Sequence, residues 1–216
     1  MRAEIIKIDC NSPEISLIDY AAQKIQQGEV LGMPTDTFYG LAADPFNLRA
    51  VDRVYEIKSR QRHKPLSLLI ESADQGRELA RQPLPDDFDL LVQKFWPGPL
   101  TIIVRAAPRL PLKVTANTGN VALRVPSANI PLAVIRKAGL PVTATSANLS
   151  GAAECTTAVA VREQLADRIS VIVDGGPSPR EVASTIVDLS GENGRWRIIR
   201  EGAIPTQEIE AVLGNA

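Results

Sequence analysis

Strand-length apolar runs alternate with helix-spaced apolar patterns along almost the whole of this 216-residue chain. That alternation confines it to an α/β architecture, because a strand followed by a helix returns to the sheet beside a parallel neighbour. Glu4–Ile8 reads as a first strand, and Ser16–Gln27 as a helix with Leu17, Ile18, Ala21, Ala22 and Ile25 on one face. Val30–Met33 is a short strand stopped by Pro34, Leu48–Ile57 a second helix and Leu66–Ile70 a buried strand. A helix over Asp86–Phe95 ends before the stiff segment Trp96-Pro97-Gly98-Pro99. Leu100–Val104, Val121–Val125 and Val142–Thr145 read as strands, and Pro131–Ala138 as a helix with proline in its first turn. Thr157–Leu165 continues the pattern as a helix. Val171–Val173, Thr185–Leu189 and Trp196–Arg200 are strands, the last two joined by a hairpin turn at Gly191–Gly194, and a short helix follows at Thr206–Leu213. The expectation is a single α/β domain over residues 1–216. It is a twisted mixed sheet flanked by helices, parallel where helices intervene and antiparallel at its C-terminal pair.

Composition narrows the function classes. Hydrophobic residues make up 44% and aromatics 4%, so the core is built from Val, Ile, Leu and Ala. A net charge of −1 argues against a protein that coats nucleic acid over its whole surface. Two cysteines, Cys10 and Cys155, and one histidine, His63, are too few for a disulfide scaffold or a His-rich metal centre. No apolar run long enough for a membrane span and no targeting segment is present, which reads as a soluble cytoplasmic protein.

Against that neutral background, Lys58-Ser59-Arg60-Gln61-Arg62-His63-Lys64-Pro65 stands out with four cations in eight residues. Neither a GxxxxGK[ST] loop nor a GxGxxG turn occurs, so a phosphate ligand would need side-chain cations for charge that such loops take from backbone amides. Lys58, Arg60, Arg62 and Lys64 follow a helix and precede a buried strand, which suits that task. A solvated basic loop completing a helix C-terminus explains them equally. Pro34-Thr35-Asp36-Thr37-Phe38-Tyr39-Gly40-Leu41 places hydroxyls at a strand's C-terminal edge before a helix-like start. Ligand binding there competes with ordinary helix capping. Thr143 through Gly151 offers Ser146 and Asn148 as uncharged phosphate partners, or as a capped loop. Ser184-Thr185 opens one strand and Arg200-Glu201-Gly202 closes the last. No Cys–His pair and no paired carboxylates accompany them. The inventory suits positioning a polyanionic substrate, as phosphoryl or nucleotidyl transfer with Mg²⁺ requires.

These clusters give the chain its resemblance to the YrdC-like threonylcarbamoyl-AMP synthases. The resemblance rests on Pro34 to Leu41, Lys58-Ser59-Arg60 with Lys64-Pro65, Trp96-Pro97-Gly98-Pro99-Leu100-Thr101 and Val121 to Pro126. It continues through Thr145 to Gly151, Ser184 to Asp188 and Arg200-Glu201-Gly202, in the family's order over roughly residues 15–205. It is to the short, single-domain form, and the Ser146-x-Asn148 pair sets the chain apart from a paralogous group of the same fold that lacks it. Gln61 stands where many members have proline.

The resemblance implies a fold with a concave basic cavity. It also implies a nucleotidyltransferase that turns L-threonine, bicarbonate or CO₂, and ATP with Mg²⁺ into threonylcarbamoyl-AMP and pyrophosphate. The product serves the threonylcarbamoyladenosine modification of tRNA. By analogy, Lys58, Arg60, Ser146 and Asn148 are the catalytic group. Thr35, Tyr39, Ser184 and Arg124 lie by threonine, while Lys64, Thr118 and Arg200 join Lys58, Arg60, Ser146 and Asn148 around the nucleotide. The metal rides on ATP without protein ligands. A downstream threonylcarbamoyl-transferase complex and tRNA or double-stranded RNA are implied partners, and no membrane is. The competing reading is a non-catalytic module of the same fold that binds tRNA or double-stranded RNA. Carbamoyl transfer, as in a related domain of hydrogenase-maturation proteins, is disfavoured because those proteins carry zinc-finger segments that have no counterpart here.

Overall fold

The computed structural model describes residues 3–165, 168–191 and 195–214. Among these residues eleven strands form two sheets rather than the single expected one. The first sheet contains β1 (Glu4–Lys7), β2 (Leu31–Met33), β3 (Gly40–Ala42), β8 (Thr145–Ser146) and β9 (Val171–Asp174), in the order β1-β9-β2-β3-β8. The second contains β4 (Leu68–Leu69), β5 (Leu100–Arg105), β6 (Asn120–Arg124), β7 (Val142–Thr143), β10 (Thr185–Asp188) and β11 (Arg197–Arg200). Its order is β11-β10-β5-β6-β4-β7.

The split has a local cause. The expected strand Val142–Thr145 is divided at Ala144, where the chain passes from one sheet to the other. Thr143 pairs with Leu68 in the second sheet, and Thr145 with Leu41 in the first. Ala144 N–H, at the crossing, donates to Ser67 O at 2.8 Å. The segment expected to begin a helix near Tyr39 is instead β3, antiparallel to both β2 and β8 and buried throughout. Parallel pairing of β1 and β2 with β9, and of β10 with β5, is the expected consequence of intervening helices. β10 and β11 are antiparallel, while their expected turn at Gly191–Gly194 falls largely outside the described residues.

The helices are α1 (Ile15–Gln26), α2 (Leu48–Lys58), α3 (Ala73–Leu79), α4 (Asp86–Phe95), α5 (Leu112–Thr115), α6 (Asn129–Ala138), α7 (Ala158–Leu165) and α8 (Thr206–Leu213). α3 and α5 are short additions the apolar pattern did not reveal. α1 buries Ile18, Ala21, Ala22 and Ile25, the face its spacing predicted, against α6 and the first sheet. A larger cluster centred on Val54, Leu68, Phe88, Ile102 and Leu123 joins α2 and α4 to the second sheet. Asn47 caps α2 by accepting the amides of Arg49 and Ala50 at 3.1 and 3.2 Å. The helix ends on Ser59 in the left-handed region at φ 51°, and Arg60 N–H reaches back to Tyr55 O at 2.9 Å. That turn sets the directions of Lys58 and Arg60.

Candidate active site

A cavity of about 230 Å³ lies where the two sheets meet. Thr35, Thr37, Tyr39 and Ser146 reach it from the first sheet and its loops. Leu68, Thr101, Arg124, Ser184 and Arg200 reach it from the second, and Arg60 comes from the turn after α2. Of the residues singled out from sequence, the structure brings Thr35, Tyr39, Arg60, Arg124, Ser146, Ser184 and Arg200 onto one wall system. Lys58, Lys64, Asn148 and Thr118 do not line it.

The threonine-rich loop is fixed by its own hydroxyls. Thr35 Oγ1 donates to Phe38 O at 2.7 Å and accepts the Thr37 amide at 3.1 Å. Arg124 is 6% exposed and anchors the cavity floor. Its Nε donates to Gly98 O at 3.0 Å, its Nη1 to Thr37 Oγ1 at 3.0 Å, and its Nη2 sits 2.6 Å from Asp36 Oδ1. Burial pulls the Arg124 guanidinium below its ordinary value, and Asp36 opposes that pull. Tyr39 is fully buried and donates its hydroxyl to Gly176 O at 2.6 Å. Burial, followed by the charge of Asp174, pushes the phenol well up, so it stays protonated.

Lys58 takes an unexpected place. It is 2% exposed, and its ammonium points into the Ser146–Asn148 turn. Nζ donates to Ser146 O, to Asn148 O at 2.8 Å and to Asn148 Oδ1 at 2.8 Å. Ser146 Oγ donates to the same Asn148 oxygen at 2.7 Å, and Asn148 Nδ2 donates to Ala152 O at 2.6 Å. Lys58 thus organises the turn that presents Ser146. Burial, then the neighbouring Arg60, lowers its pKa from 10.5 to about 8.

Arg60 is held by donating Nε to Lys64 O at 3.4 Å and Nη2 to Pro65 O at 3.0 Å. Lys64 contributes that carbonyl and leaves its side chain exposed. Arg62 points away, paired with Asp52, which also holds Lys113 at 2.6 Å. Thr118 sits in the turn before β6, donating to Thr115 O at 2.7 Å. Opposite the basic turn, Arg200 donates to Ser184 O from Nε and Nη2 at 3.2 and 2.9 Å, and Ser184 Oγ lies 2.9 Å from Thr101 Oγ1.

Thr37, whose hydroxyl the sequence placed with Thr35 at a ligand-binding strand edge, lines the cavity, whereas Thr101, Ser67 and Glu154, which also line it, were given no role by sequence reasoning. Thr101 carried the clearest signal, a hydroxyl on an otherwise apolar strand. Glu154 is the only acid on the wall, and no group of three or more metal-ligating side chains forms among the described residues. The chamber is therefore rich in hydroxyls and arginines, with one carboxylate, and suits a ligand carrying several negative charges beside small polar groups.

A family model named for Sua5, YciO and YrdC, described as "Telomere recombination", matches residues 23–202. A threonylcarbamoyl-AMP synthase of Bacillus subtilis is 40% identical over 96% of this chain and 59% of its own length. One of Pyrococcus abyssi is 37% identical over 92% of this chain and 57% of its own. The chain therefore spans under two thirds of these relatives. A synthase of Vibrio vulnificus is 34% identical over 87% of this chain and is matched over its entire length. Among solved structures, Pyrococcus abyssi Sua5 complexed with L-threonine superimposes with a TM-score of 0.93 at 36% identity, covering 97% of this chain and 61% of that one. No helix among the described residues is long and apolar enough to cross a membrane.

Proposed function

Because this chain belongs to the Sua5–YciO–YrdC family, we propose that it is a nucleotidyltransferase making threonylcarbamoyl-AMP and pyrophosphate from L-threonine, bicarbonate or CO₂, and ATP. The observation that carries the reading is the single cavity into which Thr35, Tyr39, Ser146, Ser184 and three arginines converge. The product would feed the threonylcarbamoyladenosine modification of tRNA in the cytoplasm, through a downstream transferase complex.

In this reading the threonine amine adds to CO₂, forming a carbamate with loss of a proton. A carbamate oxygen then attacks the α-phosphorus of ATP, and pyrophosphate departs. The protein's work is positioning and charge stabilisation. Arg60 and Ser146 hold phosphate oxygens. Arg200, from the opposite wall, offsets charge developing on the leaving pyrophosphate. Thr35, Tyr39, Ser184 and Arg124 surround threonine. Tyr39, its hydroxyl committed to Gly176 O, would shape the cavity wall rather than supply a proton. Lys58 and Asn148 serve by shaping the Ser146 turn and by through-space charge. Magnesium would enter on the nucleotide's phosphates, since the wall offers one carboxylate.

A non-catalytic RNA-binding role fits less well, because the wall sets hydroxyls among its arginines, whereas backbone binding needs cations more than hydroxyl groups. Mass spectrometry of a quenched reaction tests the proposal. Threonylcarbamoyl-AMP should form only with all three substrates, and ADP as the nucleotide product would contradict attack at the α-phosphorus.

A further inference from the structure

Ser184 immediately precedes β10 and Arg200 ends β11, so the cavity's far wall depends on how the flanks of these two strands are held together. The lock is at Thr185. Its side chain is entirely buried, and its hydroxyl is saturated. Oγ1 donates to Ile204 O at 2.6 Å and accepts the amides of Gly202 at 2.9 Å and Ile204 at 3.0 Å. A hydroxyl has one proton and two lone pairs, so this one is fully used inside the protein. Its partners all lie in the segment that leaves Arg200. A backbone bond from Ala203 N–H to Ala183 O at 2.8 Å doubles the connection. Gly202 permits the approach: a Cβ there would stand 2.2 Å from Ala183 O.

We propose that Thr185 is a positioning residue of the reaction, whose hydroxyl clamps the Arg200–Ile204 segment to β10 and so holds Arg200 against Ser184 in the cavity wall. Thr185 touches no substrate. It acts through Arg200, whose guanidinium is held by Ser184. The proposal rests on the synthase reading for its kinetic consequence, but not for its structural one.

The test is a double-mutant cycle of Thr185→Val and Arg200→Ala, with Thr185→Ser as the conservative control. Valine keeps the shape and removes all three hydrogen bonds; serine restores the hydroxyl. We expect Thr185→Val to raise the KM for ATP about tenfold, the loss of roughly one well-made hydrogen-bond network. Thr185→Ser should restore KM to within about twofold, and Thr185→Val should add nothing once Arg200 is Ala. Hydrogen exchange of the Gly202 and Ile204 amides, read without substrate, should quicken at least about tenfold in Thr185→Val alone. Unchanged exchange would overturn the clamp. So would equal KM effects in the presence and absence of Arg200, or a fall in melting temperature with wild-type kinetics. Wild-type protein that releases no pyrophosphate would refute the synthase reading instead, and exchange would still decide the clamp.

Discussion

Replacing Lys58 with methionine should separate stability from activity in opposite directions as pH rises. The folded chain holds Lys58 at about 8 against 10.5 for an ordinary lysine, because the ammonium is buried beside Arg60 without an ion-pair partner. At about 1.4 kcal/mol per tenfold, that gap is worth about 3 kcal/mol. The shift is downward, so between pH 8 and 10.5 the unfolded chain carries a proton that the folded chain has released. Stability from this group therefore rises with pH through that window, and is lowest at neutral pH, where the ammonium is charged in both states. Methionine removes the titration and leaves Asn148 O without its Lys58 donor, a loss of about 1–3 kcal/mol that roughly offsets the relief of the buried charge. Urea unfolding should then show the two proteins within about 2 kcal/mol at pH 7. The difference should move toward the wild type by about 3 kcal/mol as pH climbs past 10. Activity should run the other way. A neutral amine has two donors for a shell of three oxygens, so the Ser146 turn loosens, and wild-type kcat/KM should fall with an apparent pKa near 8. Lys58→Met should lose at least about 100-fold at every pH. A stability difference that stays flat from pH 7 to 10.5, or wild-type kcat/KM that holds constant across it, would refute the reasoning.

Arg60→Ala should cost kcat/KM at least about 30-fold, whereas Arg62→Ala, which removes an exposed side chain paired with Asp52 away from the cavity, should change it less than about threefold in the same assay. Asp36→Ala strands the buried Arg124 guanidinium and should destabilise the fold by about 3–5 kcal/mol in urea titrations. Gly202→Ala drives a methyl into the Ala183 carbonyl, and calorimetry should show a melting temperature several degrees lower, for a loss of about 2 kcal/mol.

The elements were legible where one periodicity dominated. α1, α2, α4 and α6 followed from apolar spacing, and β5, β6 and β10 from short Val/Ile/Leu runs. Pairing was not legible, because β2 meets β9 and β3 meets β8 across more than a hundred residues, and apolarity marks a strand without naming its neighbour. β3 was missed because Gly40-Leu41-Ala42 is buried on both faces and shows no alternation. The cavity was partly legible: hydroxyls and arginines at strand ends converge as expected. Residue directions were not. Lys58, Arg60, Arg62 and Lys64 look alike in sequence, yet the left-handed Ser59 turns Lys58 inward, leaves Arg60 on the cavity and sends Arg62 to Asp52. Thr118 is spent on its own turn, which no linear pattern announces.

The most direct test of the account is pyrophosphate release from ATP by the purified protein with Mg²⁺, with L-threonine and bicarbonate withheld in turn. Release that requires both is the predicted result. Release that persists without threonine, or none while double-stranded RNA binds with a steep salt dependence, would contradict it.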